Sequence, residues 1–157
     1  YRGDANFQRG KNLARGGQGL PGLVHLNQAA AAVPQELEYK IVQLNLIGDL
    51  INATRDISER LRLLKIAHEA GKEAVRLRPY EVNAHYIAAT SHLMHAQLGL
   101  REHIGASVME FDEAARLDPL MAPVLIARLE AEKLLGEPQR VRLAEQALER
   151  ARALQGN

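Results

Sequence analysis

One phrase is written twice in this chain. Gly71 to Pro79 reads GKEAVRLRP and Phe111 to Pro119 reads FDEAARLDP, identical at five of nine positions. Internal self-similarity at a spacing of tens of residues constrains a fold more than any single motif, because it signals stacked copies of one small unit. Pro79 and Pro119 stand 40 residues apart, and Pro34, which closes the Ala-rich stretch LNQAAAAVP, stands 45 before Pro79. Each proline lacks an N–H and forces the residue before it out of helical geometry, so a helix is expected to stop at each.

A second helical segment is read around every stop: residues 4–14, 35–52, 81–98 and 121–135. Between the members of each pair lie turn-forming stretches: GGQGLPG at 16–22, NATRD at 52–56, GLREH at 99–103 and GEP at 136–138. Asp56 of DISE and Pro138 suit helix starts, since a side-chain acceptor or a missing N–H matches the unpaired first turn. The final segment carries Val141, Ala144, Leu148 and Ala151 on one helical stripe, with Arg140, Arg142, Glu145, Glu149 and Arg152 facing away. The reading is one all-α domain over 1–157, in units of roughly 1–34, 35–79, 80–119 and 120–157.

Apolar residues make up 46% of the chain but are mostly Ala and Leu, with two Phe, four Tyr and no Trp, a helix-forming composition. Twenty basic against nineteen acidic residues, without a basic block, leave no electrostatic footprint for nucleic acid. The absence of cysteine removes disulfides, thiolate metal sites and a Cys nucleophile. No apolar run approaches the roughly 20 residues a bilayer span needs, so no membrane insertion is expected.

Four of the six histidines, His85, His92, His95 and His103, crowd one unit, and a helix brings some of them toward one face. Their spacing matches no HExxH pattern, and half-buried helix positions account for them, so no metal and no cofactor are expected. Ser91 beside His92, and Asp112 beside Glu113, point to different helix faces, which is the wrong geometry for catalysis. No catalytic residue is assigned, and the chain is not expected to be an enzyme.

The pattern resembles the tetratricopeptide repeat, a helix-turn-helix unit of 34 residues with small residues at set places and a closing proline. The small, aromatic and small positions of its second helix fall on Ser107, Phe111 and Ala114 before Pro119. They fall on Ala67, Gly71 and Ala74 before Pro79, and on Gly22, Leu26 and Ala29 before Pro34. First helices match on Gly10 and Leu13, on Tyr39, Val42 and Leu46, and on His85 or Tyr86 with Ala89. The second and third units exceed the family period by 11 and 6 residues, and the surplus is expected around 51–60 and 98–104.

This resemblance implies a right-handed α–α solenoid of about four helix pairs, whose concave face is lined by the first helix of each unit. The binding residues it implies are Phe7 and Lys11, Tyr39 and Gln43, Asn83, Tyr86 and Thr90, then Ile126 and Glu130. A protein or peptide partner is the expected ligand. Ala74 and Ala114 are expected at close helix crossings, and Phe111 in the gap between units. The first pair is expected to be weak, because Gly3, Gly10, Gly16, Gly17, Gly19 and Gly22 dilute it.

Two further readings follow. A weak first pair and an amphipathic last helix would let copies stack head to tail into filaments or arrays. The Ala- and Arg-rich phrases AVRLRP and ARLDP also resemble the extracytoplasmic repeat regions of bacterial O-antigen ligase or polymerase-like proteins. That narrower resemblance implies a position outside the cytoplasm and an accessory role in assembling or binding surface glycans.

Overall fold

The fold is that of a computed structural model, described for residues 2–156. Its regular elements are eight helices: α1 (Arg2–Arg15), α2 (Gly19–Ala32), α3 (Leu37–Ala53), α4 (Ile57–Leu77), α5 (Val82–Gln97), α6 (His103–Leu117), α7 (Ala122–Leu135) and α8 (Pro138–Gln155).

The three proline stops work alike. Helices α2, α4 and α6 each end two residues before Pro34, Pro79 or Pro119. The residue between, Val33, Arg78 or Asp118, donates its backbone N–H to the carbonyl of Ala29, Ala74 or Ala114 at 3.1, 2.9 and 3.0 Å. Those three alanines are fully buried. One residue thus accepts the last helical bond and lets a neighbouring helix approach, which is why the phrase recurs as a unit.

Starts follow local chemistry as well. Asp56 Oδ1 accepts the N–H groups of Ser58 and Glu59 at 2.8 and 3.4 Å, opening α4. Prolines lie in the first turns of α7 and α8, and Gly136, with φ +82°, closes α7 in the left-handed region. The stretch 16–22 is not a loop throughout: α2 begins at Gly19 and takes in Pro21 and Gly22. Proline is tolerated there because the first-turn N–H groups have no intrahelical acceptor. In the second unit the surplus length enters the helices, since α3 has 17 residues and α4 has 21, and in the third it falls partly in the connection 98–102.

Each helix packs on the next. In addition α1 meets α3, α3 meets α5 and α5 meets α7, whereas among the described residues the even-numbered helices do not pack on one another. The odd helices therefore make a continuous inner layer, and the even ones stand apart as outer ribs with grooves between them. The core runs along this stack in segments. One joins α1 to α5 around Leu26, Ile47, Leu63 and Ile87; the next surrounds Phe111; the last holds Leu125 against Leu148 and Ala151. Helix α5 belongs to the first two and links them.

The N-terminal pair differs from expectation. Gly10 and Gly22 are buried at the α1–α2 crossing, and a Cβ on Gly22 would lie 2.9 Å from the Gly10 carbonyl oxygen. A Cβ on Gly3 would lie 2.7 Å from Val33 Cγ2. These glycines are contact points whose missing side chains bring the two backbones together, offsetting the entropy they cost. Gly71 plays the same part later, where a Cβ would come 2.9 Å from Ala88 Cα and from Ser91 Oγ. Matched positions in the three units thus hold Leu26, Gly71 and Phe111, all buried, each chosen by the width of its own gap.

Candidate interaction surface

The inner layer places the expected binding residues unequally. Tyr39 and Gln43, on α3, are buried at 5% exposure and are turned into the stack. The Tyr39 ring stacks on Phe7 with centroids 4.4 Å apart, and its hydroxyl donates to Asp4 Oδ1. That bond to a carboxylate, with burial and the Asp4 charge, raises the phenol to about 12. Gln43 Nε2 donates to Asn27 Oδ1 at 2.6 Å. Both residues, and Phe7 with them, therefore tie α3 to α1 and α2 and do not present themselves to a ligand.

The remaining candidates are accessible to different degrees. Lys11 holds its ammonium 4.8 Å from the Phe7 ring centroid, a cation–π contact at the edge of the layer. Tyr86 is half-buried beside Phe111, with centroids 6.3 Å apart, and Thr90 is half-buried with its hydroxyl oxygen unpartnered. Asn83 lines a cleft of about 330 Å³ between the first turns of α3 and α5, together with Glu36, Glu38, Arg78 and Glu81. Ile126 and Glu130 are exposed on α7. Sequence reasoning missed the three glutamates of the cleft: Glu36 and Glu38 share the first turn of α3, and Glu81 at the start of α5 joins them only when the two helices stand side by side.

Polar groups elsewhere are committed to packing. Arg140 of α8 donates to Glu132 from Nε and Nη2 at 2.8 Å each, and to Asp112 at 3.0 Å. Glu132 is fully buried, so this network stitches α6, α7 and α8 from within. Ser91 Oγ donates to the Ala88 carbonyl, and Glu113 pairs with Arg116. His85 leaves the other histidines: its ring nitrogens sit 2.6 Å from Glu110 Oε2 and 2.9 Å from the Pro79 carbonyl oxygen. His92, His95 and His103 do come together, and His68 of α4 joins them. No spacing in the sequence links His68 to that group, because the helix crossing alone brings it there.

Paired helices in this arrangement, with an inner and an outer layer, have the tetratricopeptide-repeat fold. The chain is similar to TTC0263, a thermophilic TPR protein of Thermus thermophilus, with a TM-score of 0.72 and 20% identity over 99% of this chain and 75% of that one. It is also similar to MamA MSR-1 C2, with a TM-score of 0.61 and 14% identity over 99% of this chain and 78% of that one. At these identities the likeness defines the fold and nothing more. No protein-family profile and no curated protein matches the chain. Nothing in the comparisons supports the narrower likeness to O-antigen ligase or polymerase-like proteins. No helix among the described residues is long and apolar enough to cross a membrane.

Proposed function

We propose that the chain is a non-enzymatic scaffold whose inner layer binds an extended protein segment carrying basic side chains. The observation behind this reading is the cleft at Asn83, where Glu36, Glu38 and Glu81 face one arginine, Arg78. Arg78 stands 3.7 Å from Glu81 and both are well exposed, so their pairing holds little energy and yields to a ligand. The path proposed for the segment runs from the cleft over Tyr86 and Thr90 of α5 to Ile126 and Glu130 of α7, with Lys11 of α1 as a further contact. Several weak contacts along a preformed surface are how solenoids bind.

The double variant Glu38→Lys, Glu81→Lys tests the reading. Both substituted groups are exposed, so the thermal midpoint should hold. Affinity for the partner recovered by the unaltered chain should fall about tenfold or more, and further at low salt. Lys65→Glu on the outer face of α4 is the control and should bind normally. Equal binding by both variants would remove the cleft from the function.

A second reading is self-association, favoured by the last helix. Helix α8 exposes Leu143 at 62% and Leu154 at 66%, so it is less completely polar than a closing helix needs to be. Head-to-tail stacking through this face predicts a mass by light scattering that rises with concentration. A constant monomer mass up to high concentration would eliminate it.

A further inference from the structure

Four imidazoles converge where α4, α5 and the start of α6 meet. His103 stacks on His95 with centroids 4.2 Å apart and lies 5.1 Å from His92. His68 approaches all three edge-on, at 5.4 Å from His92, 5.8 Å from His95 and 6.1 Å from His103. The stacked pair, with planes only 24° apart, cannot turn its in-plane lone pairs to one point. Accordingly no three His, Asp or Glu side chains among the described residues are placed to hold a metal ion.

Their hydrogen bonds require at least one uncharged ring. His92 Nδ1 and His103 Nδ1 are 2.8 Å apart, so one must donate and the other must offer a lone pair. That contact accommodates one proton between the two atoms and breaks when a second arrives. His95 Nδ1 donates to the Ser91 carbonyl oxygen at 2.7 Å, which fixes its tautomer. His68 Nδ1 is buried without a partner. The charged groups facing the cluster are few. Glu69 of α4 and Glu102 of the α5–α6 turn favour protonation, and Lys72 of α4 opposes it. Glu110 of α6 is engaged by His85.

We propose that these four histidines form an acid-sensitive latch, which fastens the first turn of α6 to α4 and α5 when neutral and releases it when the cluster becomes multiply charged. His68 and His92 also line the groove of about 660 Å³ between α4 and α6, which gives protons a path from solvent. Burial, and then the neighbouring rings, push His92 down from 6.5 to about 4. Burial lowers His68 and His95 as well. The folded chain therefore binds fewer protons here than the unfolded one. Its stabilisation is complete above about pH 6.5 and is lost as pH falls toward about 4.

The test is a ring-nitrogen NMR titration of the unaltered chain, paired with thermal melts from about pH 7.5 to about pH 4. At least one clustered ring should titrate well below pH 6. The Tm of the unaltered chain should fall over this range by about 4 °C more than that of His103→Gln, whose lone imidazole-to-amide change dismantles the shared contact. His92→Asn should flatten the profile in the same way. Four rings that all titrate near 6.5, or variants that keep the full pH slope, would overturn the latch.

Discussion

Phe111→Ala is expected to lower stability by about 3–5 kcal/mol and the thermal midpoint by about 10 °C. Phe111 is fully buried, and the cluster around it draws Ala89 and Leu93 from α5, Val108 and Ala114 from α6, and Val124 and Ala131 from α7. Truncation removes the side chain on which three helices converge, and the inner layer holds their backbones too far apart to close the gap. Because α5 also belongs to the first core, the damage should stay local. Hydrogen exchange should quicken in α6 to α8 and hardly change in α1 to α3. Uniform quickening along the chain would contradict a segmented core.

Glu73→Ala is the second large effect, expected to cost about 3 kcal/mol. Lys40 on α3 is only 1% exposed, and its ammonium lies 2.7 Å from Glu73 Oε2 on α4. Removing the carboxylate strands a buried cation, and the cost falls at the lower end of the usual range because Glu73 is itself 38% exposed. Lys40→Met provides the contrast. It leaves a carboxylate that water reaches and puts an apolar chain of similar length in the buried slot, so it should cost less than Glu73→Ala. Urea titrations of the two variants decide the point; a larger loss for Lys40→Met would mean that the pair stabilises by more than mutual compensation.

Much of this architecture was legible in the sequence. Pro34, Pro79 and Pro119 end helices by sterics that act within one turn, and Ala29, Ala74 and Ala114 sit at a constant offset from them. Asp56 caps and Pro138 opens helices through their own first turns. The interaction surface was less legible. Helix α5 buries the polar His85, Ser91 and His95 among Ala84, Ile87, Ala88, Ala89 and Leu93. Such a helix has no marked polar face from which to tell the inner side from the outer. Tyr39 and Gln43 look like ligand contacts in isolation and become interior only because Asp4 and Asn27, distant in sequence, supply their partners.

The sequence by itself determined the repeat, the helical class, the stops and the residues that permit close approach, because each depends on backbone chemistry over a few residues. Tertiary structure decided how those permissions are used. The width of each gap made Gly10, Gly22 and Gly71 points of contact and Phe111 a filler, and the crossings gathered His68 with His92, His95 and His103. Crossing distances are set jointly by two surfaces, and no single stretch of chain carries both.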